Sequence, residues 1–163
     1  MLHQLARISA LVLLAAAPAT AQFSAHIPSD TPASGACSSI PLGGFFSEAQ
    51  FRSQRFQVVI TAAELGNAPR TITNLGFAPC GTGVRLYGRV TIKMTHISGP
   101  LTTSFLTNEA GRQRVLDIFS LEWENTAGVW ANILLTSPYA YDPSQGDLLV
   151  DVVAGGRHPG FEV

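Results

Sequence analysis

The 163-residue sequence has few charges and almost no lysine. Only Lys93 carries an ammonium group, and charged residues make up 13% of the chain. The ten basic and eleven acidic residues nearly balance, and no stretch concentrates the basic ones. Nucleic-acid binding needs clustered cations that follow the phosphates. We therefore expect no nucleic acid among the partners of this protein.

Long hydrophobic runs are missing as well. The longest apolar run, 8–17, is about ten residues, against the ~20 that a membrane-spanning helix needs. It follows Arg7 and precedes the small residues A-T-A at 19–21. A basic residue, a short apolar run and an A-x-A site are typical of a secretory signal peptide. We predict a signal peptide over 1–21, cleavage before Gln22 and no transmembrane segment; the alternative is a buried N-terminal helix.

Cysteine is scarce, with only Cys37 and Cys80 in the chain. Two cysteines cannot complete a tetrahedral zinc site, and no histidine stands at ligand spacing from either. In an exported chain an even count predicts a disulfide. Closing the loop between the two would stabilise the fold by about 4 kcal/mol on the chain-entropy model.

Helical periodicity is absent over any long stretch, whereas short β-branched and aromatic runs recur between turn clusters. This pattern predicts an all-β protein, an antiparallel, jelly-roll-like β-sandwich with a core over 55–154. A Pro/Ser/Gly-rich lead-in, 22–54, is expected to be tied down by the disulfide, and 155–163 to form a flexible tail. One helical turn is expected at 62–66, and a short helix or an irregular crossover at 101–111. The predicted strands are 55–60, 70–78, 84–97, 114–123, 130–136 and 147–153.

Residue alternation places two of these strands. In 89–95 apolar residues fill one face and polar residues the other, which is typical of a strand with one wet face. In 148–153 both faces are mostly apolar. That pattern favours a more central position in a sheet.

The two tryptophans, Trp123 and Trp130, stand seven residues apart around the turn-like run N-T-A-G. A hairpin joining 114–124 to 129–136 would place the indoles opposite each other on a face with Phe119 and Leu134. This register favours a core position for the pair. A shift of one residue would leave one indole exposed for stacking on a ligand.

Two tyrosines close to the same predicted edge, Tyr139 and Tyr141, admit two interpretations. They extend an exposed aromatic patch of the kind that binds sugars, or they cap the core. The candidate ligand-binding residues are therefore Trp123, Trp130, Tyr139 and Tyr141.

Catalysis has little support in the sequence. There is no G-x-S-x-G nucleophile motif, and the histidines beyond residue 21, His26, His96 and His158, are expected to be ordinary surface residues. Glu122 and Glu124 lie two apart on a predicted strand, about 7 Å from each other. Some inverting glycosidases use such a separation, yet any exposed strand end shows it. We predict no catalytic residues.

The segment Y-D-P-S-Q-G-D brings Asp142 and Asp147 to either side of a turn. Carboxylates in such loops bind calcium in some proteins. An Asp before Pro also forms an ordinary Asx-turn. The turn is the favoured interpretation and no cofactor is expected; structural calcium at these two residues is the alternative.

Three stretches then carry a likeness to known proteins: LGFAPCGTG (75–83), IKMTHISGPLTTSFLTN (92–108) and VWANILLTSPYAYDPSQGDLLVDVV (129–153). Their order and spacing resemble a loosely defined family of secreted bacterial β-sandwich modules of adhesin type. The resemblance spans roughly 55–154. It implies a jelly-roll-like sandwich at the cell surface or in the medium, and it assigns no catalytic residue. Unlike anchored members, this chain shows no sorting tail after its last strand, so we expect that it is either released or truncated relative to its relatives.

The sequence thus favours an exported, non-enzymatic module with a structural or adhesion-type role, outside the cell or in the periplasm. Its expected partner is an extracellular glycan or surface protein. A carbohydrate-binding module is the alternative, and a small glycan-active hydrolase the third hypothesis.

Overall fold

The computed structural model describes residues 23–27, 42, 53–79, 81–108 and 110–155. These residues contain six β-strands, one four-residue helix and a 3-10 turn. The elements are β1 (Ser53–Ile60), β2 (Arg70–Phe77), β3 (Gly83–Ile97), α1 (Phe105–Asn108), β4 (Gln113–Asn125), β5 (Ala131–Tyr141), the 3-10 turn (Pro143–Gln145) and β6 (Asp147–Gly155).

The strands pair into two antiparallel sheets. Sheet A has the order β1-β6-β3-β4, and sheet B consists of β2 and β5. The all-β class is confirmed, and each predicted run lies within or largely within a strand. β6 lies between β1 and β3, which confirms the central position that its two apolar faces predicted. Within the described residues, no helix has the length and apolarity to cross a membrane.

Side chains from both sheets form one hydrophobic cluster. Sheet A contributes Val90, Ile92 and Met94, which lie on one face of β3 because strand side chains alternate. Sheet B contributes Ile133 and Leu135. The shared core does not by itself establish that the two sheets pack as a sandwich or that the fold resembles a jelly roll. Both stay predictions.

The β3–β4 ribbon changes the face that it buries halfway along. In β4, Leu116 is buried before Ser120, whereas Trp123 is buried after it, so the alternation shifts by one residue. Ser120 has a φ of 59°, the left-handed region that side chains seldom adopt. On β3, Tyr87 pairs with Leu121, and the next pair is Arg89 with Phe119. Tyr87 is buried, as is Trp123. The ribbon therefore adds opposite faces to the core at its two ends.

The predicted hairpin between β4 and β5 is wrong. β4 pairs with β3 in sheet A and β5 pairs with β2 in sheet B, so the N-T-A-G turn passes from one sheet to the other. Phe119 and Leu134, expected in the core beside the tryptophans, are 67% and 74% exposed. The alternation pattern specifies which faces are apolar, but it does not specify which strand is the hydrogen-bonding partner.

The polar face of β3 is less exposed than its alternation predicts. The segment around α1, expected at 101–111, crosses this face. The Thr95 hydroxyl donates to the Ala110 carbonyl at 2.9 Å, and the Gln57 amide donates to the Phe105 carbonyl at 3.2 Å. Thr95 is buried as a result. The other predicted helical turn, at 62–66, is present as a hydrogen-bonded turn after β1.

Several predictions fall outside the described residues. They are the signal peptide over 1–21, the disulfide between Cys37 and Cys80, most of the 22–54 lead-in, and the tail beyond Gly155. His158 lies outside them as well. These stay predictions.

Candidate functional site

The two tryptophans occupy different environments. Trp123 is 6% exposed and meets Phe77 edge to face, with ring centroids 6.1 Å apart; its predicted core position is confirmed. Trp130 is half-buried ahead of β5. Its indole stacks on the imidazole of His26 at 4.9 Å between centroids and 14° between planes. One face of the Trp130 ring is therefore already covered by the chain itself.

Tyr139 and Tyr141 cap the core. They are 5% and 1% exposed, because alternate residues of β5 face inward. The Tyr141 hydroxyl donates to the Gly146 carbonyl at 3.0 Å. Burial raises the pKa of both phenols, so both hydroxyls stay protonated. With Trp123 also buried, the four aromatic candidates do not form an exposed sugar-binding strip, and that part of the prediction is corrected.

His96 is a structural residue, not the ordinary surface histidine expected from the sequence. Its Nε2 accepts a hydrogen bond from the backbone N–H of Asp142 at 3.0 Å. A neutral ring that accepts at Nε2 carries its proton on Nδ1, which lies 3.0 Å from the Tyr139 hydroxyl. The imidazole also stacks on Tyr141, 5.4 Å between centroids. The ring thus ties the end of β3 to the end of β5.

The Asx-turn predicted at Asp142 is confirmed. Its carboxylate accepts from the backbone N–H of Ser144 at 2.9 Å and from the Gln145 amide at 3.3 Å. Hydrogen bonds from Ser144 lower the pKa of Asp142. Asp147 accepts from the backbone N–H of Ala62 at 2.8 Å. Among the described residues no group of three or more His, Cys, Asp or Glu side chains could hold a metal ion; the calcium alternative stays an untested prediction.

A groove of about 350 Å³ opens at the end where β4 leads into β5, with Val84, Glu124, Val129 and Trp130 among its lining residues. Glu122, the other candidate carboxylate, is exposed elsewhere on β4. Three buried polar atoms in this region have no hydrogen-bond partner in the described part of the chain. They are Nε1 of Trp123, Nε1 of Trp130 and Oδ1 of Asn125.

A second surface, which the sequence did not reveal, is the outer face of sheet A. One cross-strand row contains Asp151, Lys93 and Arg114 on β6, β3 and β4. Towards the beginning of β3, Thr91 pairs with Asp117, and Arg89 lies two residues before Thr91. Strand side chains alternate, so these rows share one face. We name the surface formed by five residues the cationic face: Arg55, Arg89, Lys93, Arg112 and Arg114.

Two arginines of the cationic face are held in the same way. Arg55 donates from Nε and Nη2 to the two oxygens of Asp151 at 2.9 and 3.0 Å, and its guanidinium lies 4.8 Å from the ring centroid of Phe105. Arg89 donates to both oxygens of Asp117 at 2.7 Å and lies 4.7 Å from the ring of Phe119. Bidentate pairing and ring stacking fix the plane of a guanidinium. Both groups are therefore pre-positioned on the sheet.

Lys93, the single lysine, lies among these groups. Partial burial lowers the pKa of its ammonium, and repulsion from Arg112, Arg55 and Arg114 lowers it further, while Asp151 acts in the opposite direction. Repulsion of this kind requires that the cations be near one another. The basic residues do not cluster along the sequence, as expected. In the folded protein, however, these four basic side chains lie near one another.

The Arg89–Asp117 pair makes the free energy of unfolding depend on pH in the acidic range. The Arg89 guanidinium holds the pKa of Asp117 at about 2, below its ordinary 3.8. A depressed folded-state pKa adds stability that is complete above the ordinary value and is lost as the pH falls through the folded one. We expect the free energy of unfolding to decrease from about pH 4 to pH 2, and to decrease less in Asp117→Asn. Urea denaturation at several pH values measures this; equal slopes in the two proteins would contradict it.

The fold and surface define an all-β protein with two antiparallel sheets and a cationic face on one of them. A scan against protein-family models found no matching family, and searches of curated proteins and of solved structures found no match. What the protein does is inferred below from its own residues.

Proposed function

We propose that this protein is an exported, non-enzymatic β-sandwich module with an adhesion-type role at the cell surface, in the medium or in the periplasm. The cationic face is the observation that carries the proposal. It is a surface built on hydrogen-bonded strands, on which Arg55 and Arg89 are each fixed by a carboxylate and a ring. A rigid polar surface of this kind binds a partner without losing much side-chain entropy.

Two features of the sequence support the extracellular setting of this proposal. The first 21 residues have the order of a secretory signal peptide. The stretches at 75–83, 92–108 and 129–153 resemble secreted adhesin-type modules. The non-enzymatic part is supported by the sequence, which has no G-x-S-x-G nucleophile motif.

Export and binding are tested on the full chain expressed in a secreting bacterium. We expect the product outside the cytoplasm to begin at Gln22, as read by mass spectrometry. The purified product is then applied to a glycan array and to intact bacterial cells, and glycan cleavage is followed in parallel. Binding without cleavage is the expected result. An uncleaved cytoplasmic product would overturn the export proposal, and turnover of any glycan would overturn the non-enzymatic one.

The groove favours a second candidate function, binding of an uncharged sugar. Trp130 supplies a half-buried indole to the lining of the groove, next to the polar residues Glu124 and Asn125. Sugars are bound by stacking on such rings together with a few placed polar groups. Trp130→Ala is then expected to abolish binding to neutral glycans on the array, whereas Trp123→Ala serves poorly because it truncates the core. Neutral-glycan binding that survives Trp130→Ala would exclude the groove.

A further inference from the structure

Charge is segregated on this protein although the whole chain is nearly neutral, with a formal net charge of −1. Within the described residues, the five cations of the cationic face are accompanied by two carboxylates hydrogen-bonded to its arginines, Asp117 and Asp151. The other described carboxylates belong to loops, to the far end of β4 and to the first residue of β6: Glu64, Glu122, Glu124, Asp142 and Asp147. Among the described residues, this face therefore carries more cations than carboxylates, and the other described residues carry more carboxylates than cations.

Four of the five cations lie on strands, and Arg112 directly precedes β4. Lys93 and Arg89 are four residues apart on β3, about 13 Å at the rise of a strand. Arg114 pairs with Lys93 on the neighbouring strand, about 5 Å away. Arg55 lies on β1, two strands from β3, about 10 Å across the sheet. Of these four cations, only Lys93 and Arg114 are close enough for one small anion to bridge, and the face as a whole is wider than such an anion.

This spread decides the class of ligand. A small anion is usually bound in a concave site that surrounds it, whereas a polymer with repeated negative charges can contact several separated cations of a sheet at once. Because the protein is proposed to act outside the cell, an acidic polysaccharide is the polymer of that kind that fits the setting.

We propose that the cationic face binds a linear acidic polysaccharide, with Lys93 and Arg114 making the central contacts and Arg55 and Arg89 flanking them. This inference rests on the proposed extracellular binding role and names its ligand class. The carboxylate partners leave Arg55 and Arg89 in fixed orientations, and Arg114, with a side chain 58% exposed, remains accessible while it contacts Asp117 at 2.9 Å. Carboxylate or sulfate groups of the glycan would form further ion pairs with these cations.

The test measures binding of the mature protein to polygalacturonate and dextran sulfate by calorimetry, with uncharged dextran alongside. We expect both acidic polymers to bind and dextran not to bind. The affinity is expected to fall about tenfold or more between about 50 and 300 mM NaCl, because exposed charge pairs are screened. Lys93→Gln and Arg114→Gln are each expected to weaken binding by about threefold or more, and together by about tenfold or more.

The matched control is Arg85→Gln, which also removes one positive charge from β3. Arg85 lies beyond the point where the β3–β4 ribbon changes the face that it buries, so the affinity is expected to stay unchanged. Lys93 and Arg114 are chosen because they pair with each other across β3 and β4 on this face, and thermal melts confirm that each variant is folded. Acidic-polymer binding that is insensitive to both variants, or equally sensitive to Arg85→Gln, would overturn the assignment of the face.

Two further outcomes separate this inference from the function on which it rests. Binding to cells or neutral glycans without binding to either acidic polymer overturns the ligand class and leaves the adhesion-type role standing. Tighter binding to single-stranded DNA or to phosphatidylglycerol vesicles than to the acidic glycans also overturns the ligand class. Failure to bind cells, glycans or polymers overturns both.

Discussion

Replacing Arg55 with methionine is expected to lower the free energy of unfolding by about 3 kcal/mol, at the lower end of the range for a broken buried ion pair. The Asp151 carboxylate is 2% exposed, and both of its oxygens accept from Arg55. Without the guanidinium, this charge stays desolvated with Lys93 as its cross-strand neighbour, and Lys93 offsets part of the loss. Methionine keeps an apolar stem beside Phe105, although the contact of the guanidinium with that ring is lost together with the ion pair. Urea denaturation measures the change in the free energy of unfolding.

Replacing the other partner of the ion pair tests whether the pair is the cause of this loss of stability. Asp151→Leu leaves the arginine, whose side chain is 27% exposed and can reach water, so we expect a smaller loss than for Arg55→Met. The double variant Arg55→Met/Asp151→Leu is expected to recover most of the stability, because an apolar pair of similar size often replaces a buried ion pair without loss. A double variant as unstable as Arg55→Met alone would show that the ion pair is not the origin of the effect.

His96→Phe is expected to destabilise the protein by about 2–6 kcal/mol, since it leaves two hydrogen-bonding groups without partners at ~1–3 kcal/mol each. Phenylalanine preserves an aromatic ring against Tyr141 but can neither accept from the Asp142 N–H nor bond to the Tyr139 hydroxyl. Tyr139 is buried, so water does not easily replace the lost partner. Chemical denaturation at neutral pH measures the change.

Two controls accompany this variant. His26→Phe keeps a ring stacked on Trp130 and is expected to change stability by less than about 0.5 kcal/mol. Combining Tyr139→Phe with His96→Phe removes both ends of one hydrogen bond, and a coupling of about 1 kcal/mol is expected in the double-mutant cycle. Additive losses, with no coupling, would mean that Tyr139 and His96 do not stabilise each other.

The strands of this protein could be located from the sequence because their signals are local. Alternation places Val90, Ile92 and Met94 on one buried face, and the doubly apolar pattern of β6 predicts its place inside sheet A. The Asx-turn at Asp142 was likewise predictable, since it depends on residues within three positions.

The candidate site was harder to predict. The aromatic residues were recognised as a group, but Tyr139, Tyr141 and Trp123 serve the core, and His26 covers Trp130 from a distant part of the chain. The role of His96 gave no sequence signal, because its partners are backbone and hydroxyl groups 43 or more residues away.

By itself, then, the sequence determined the all-β class, the positions of the six strands and the apolar face of β3 around Val90, Ile92 and Met94. Only the tertiary structure decided which strands are neighbours, and with that both the failure of the β4–β5 hairpin and the formation of the cationic face. Side-chain alternation is encoded residue by residue, whereas strand pairing is made by backbone groups that every strand presents alike. Arg55, Lys93 and Arg114 are scattered along the chain, and they meet because β1, β3 and β4 belong to one sheet.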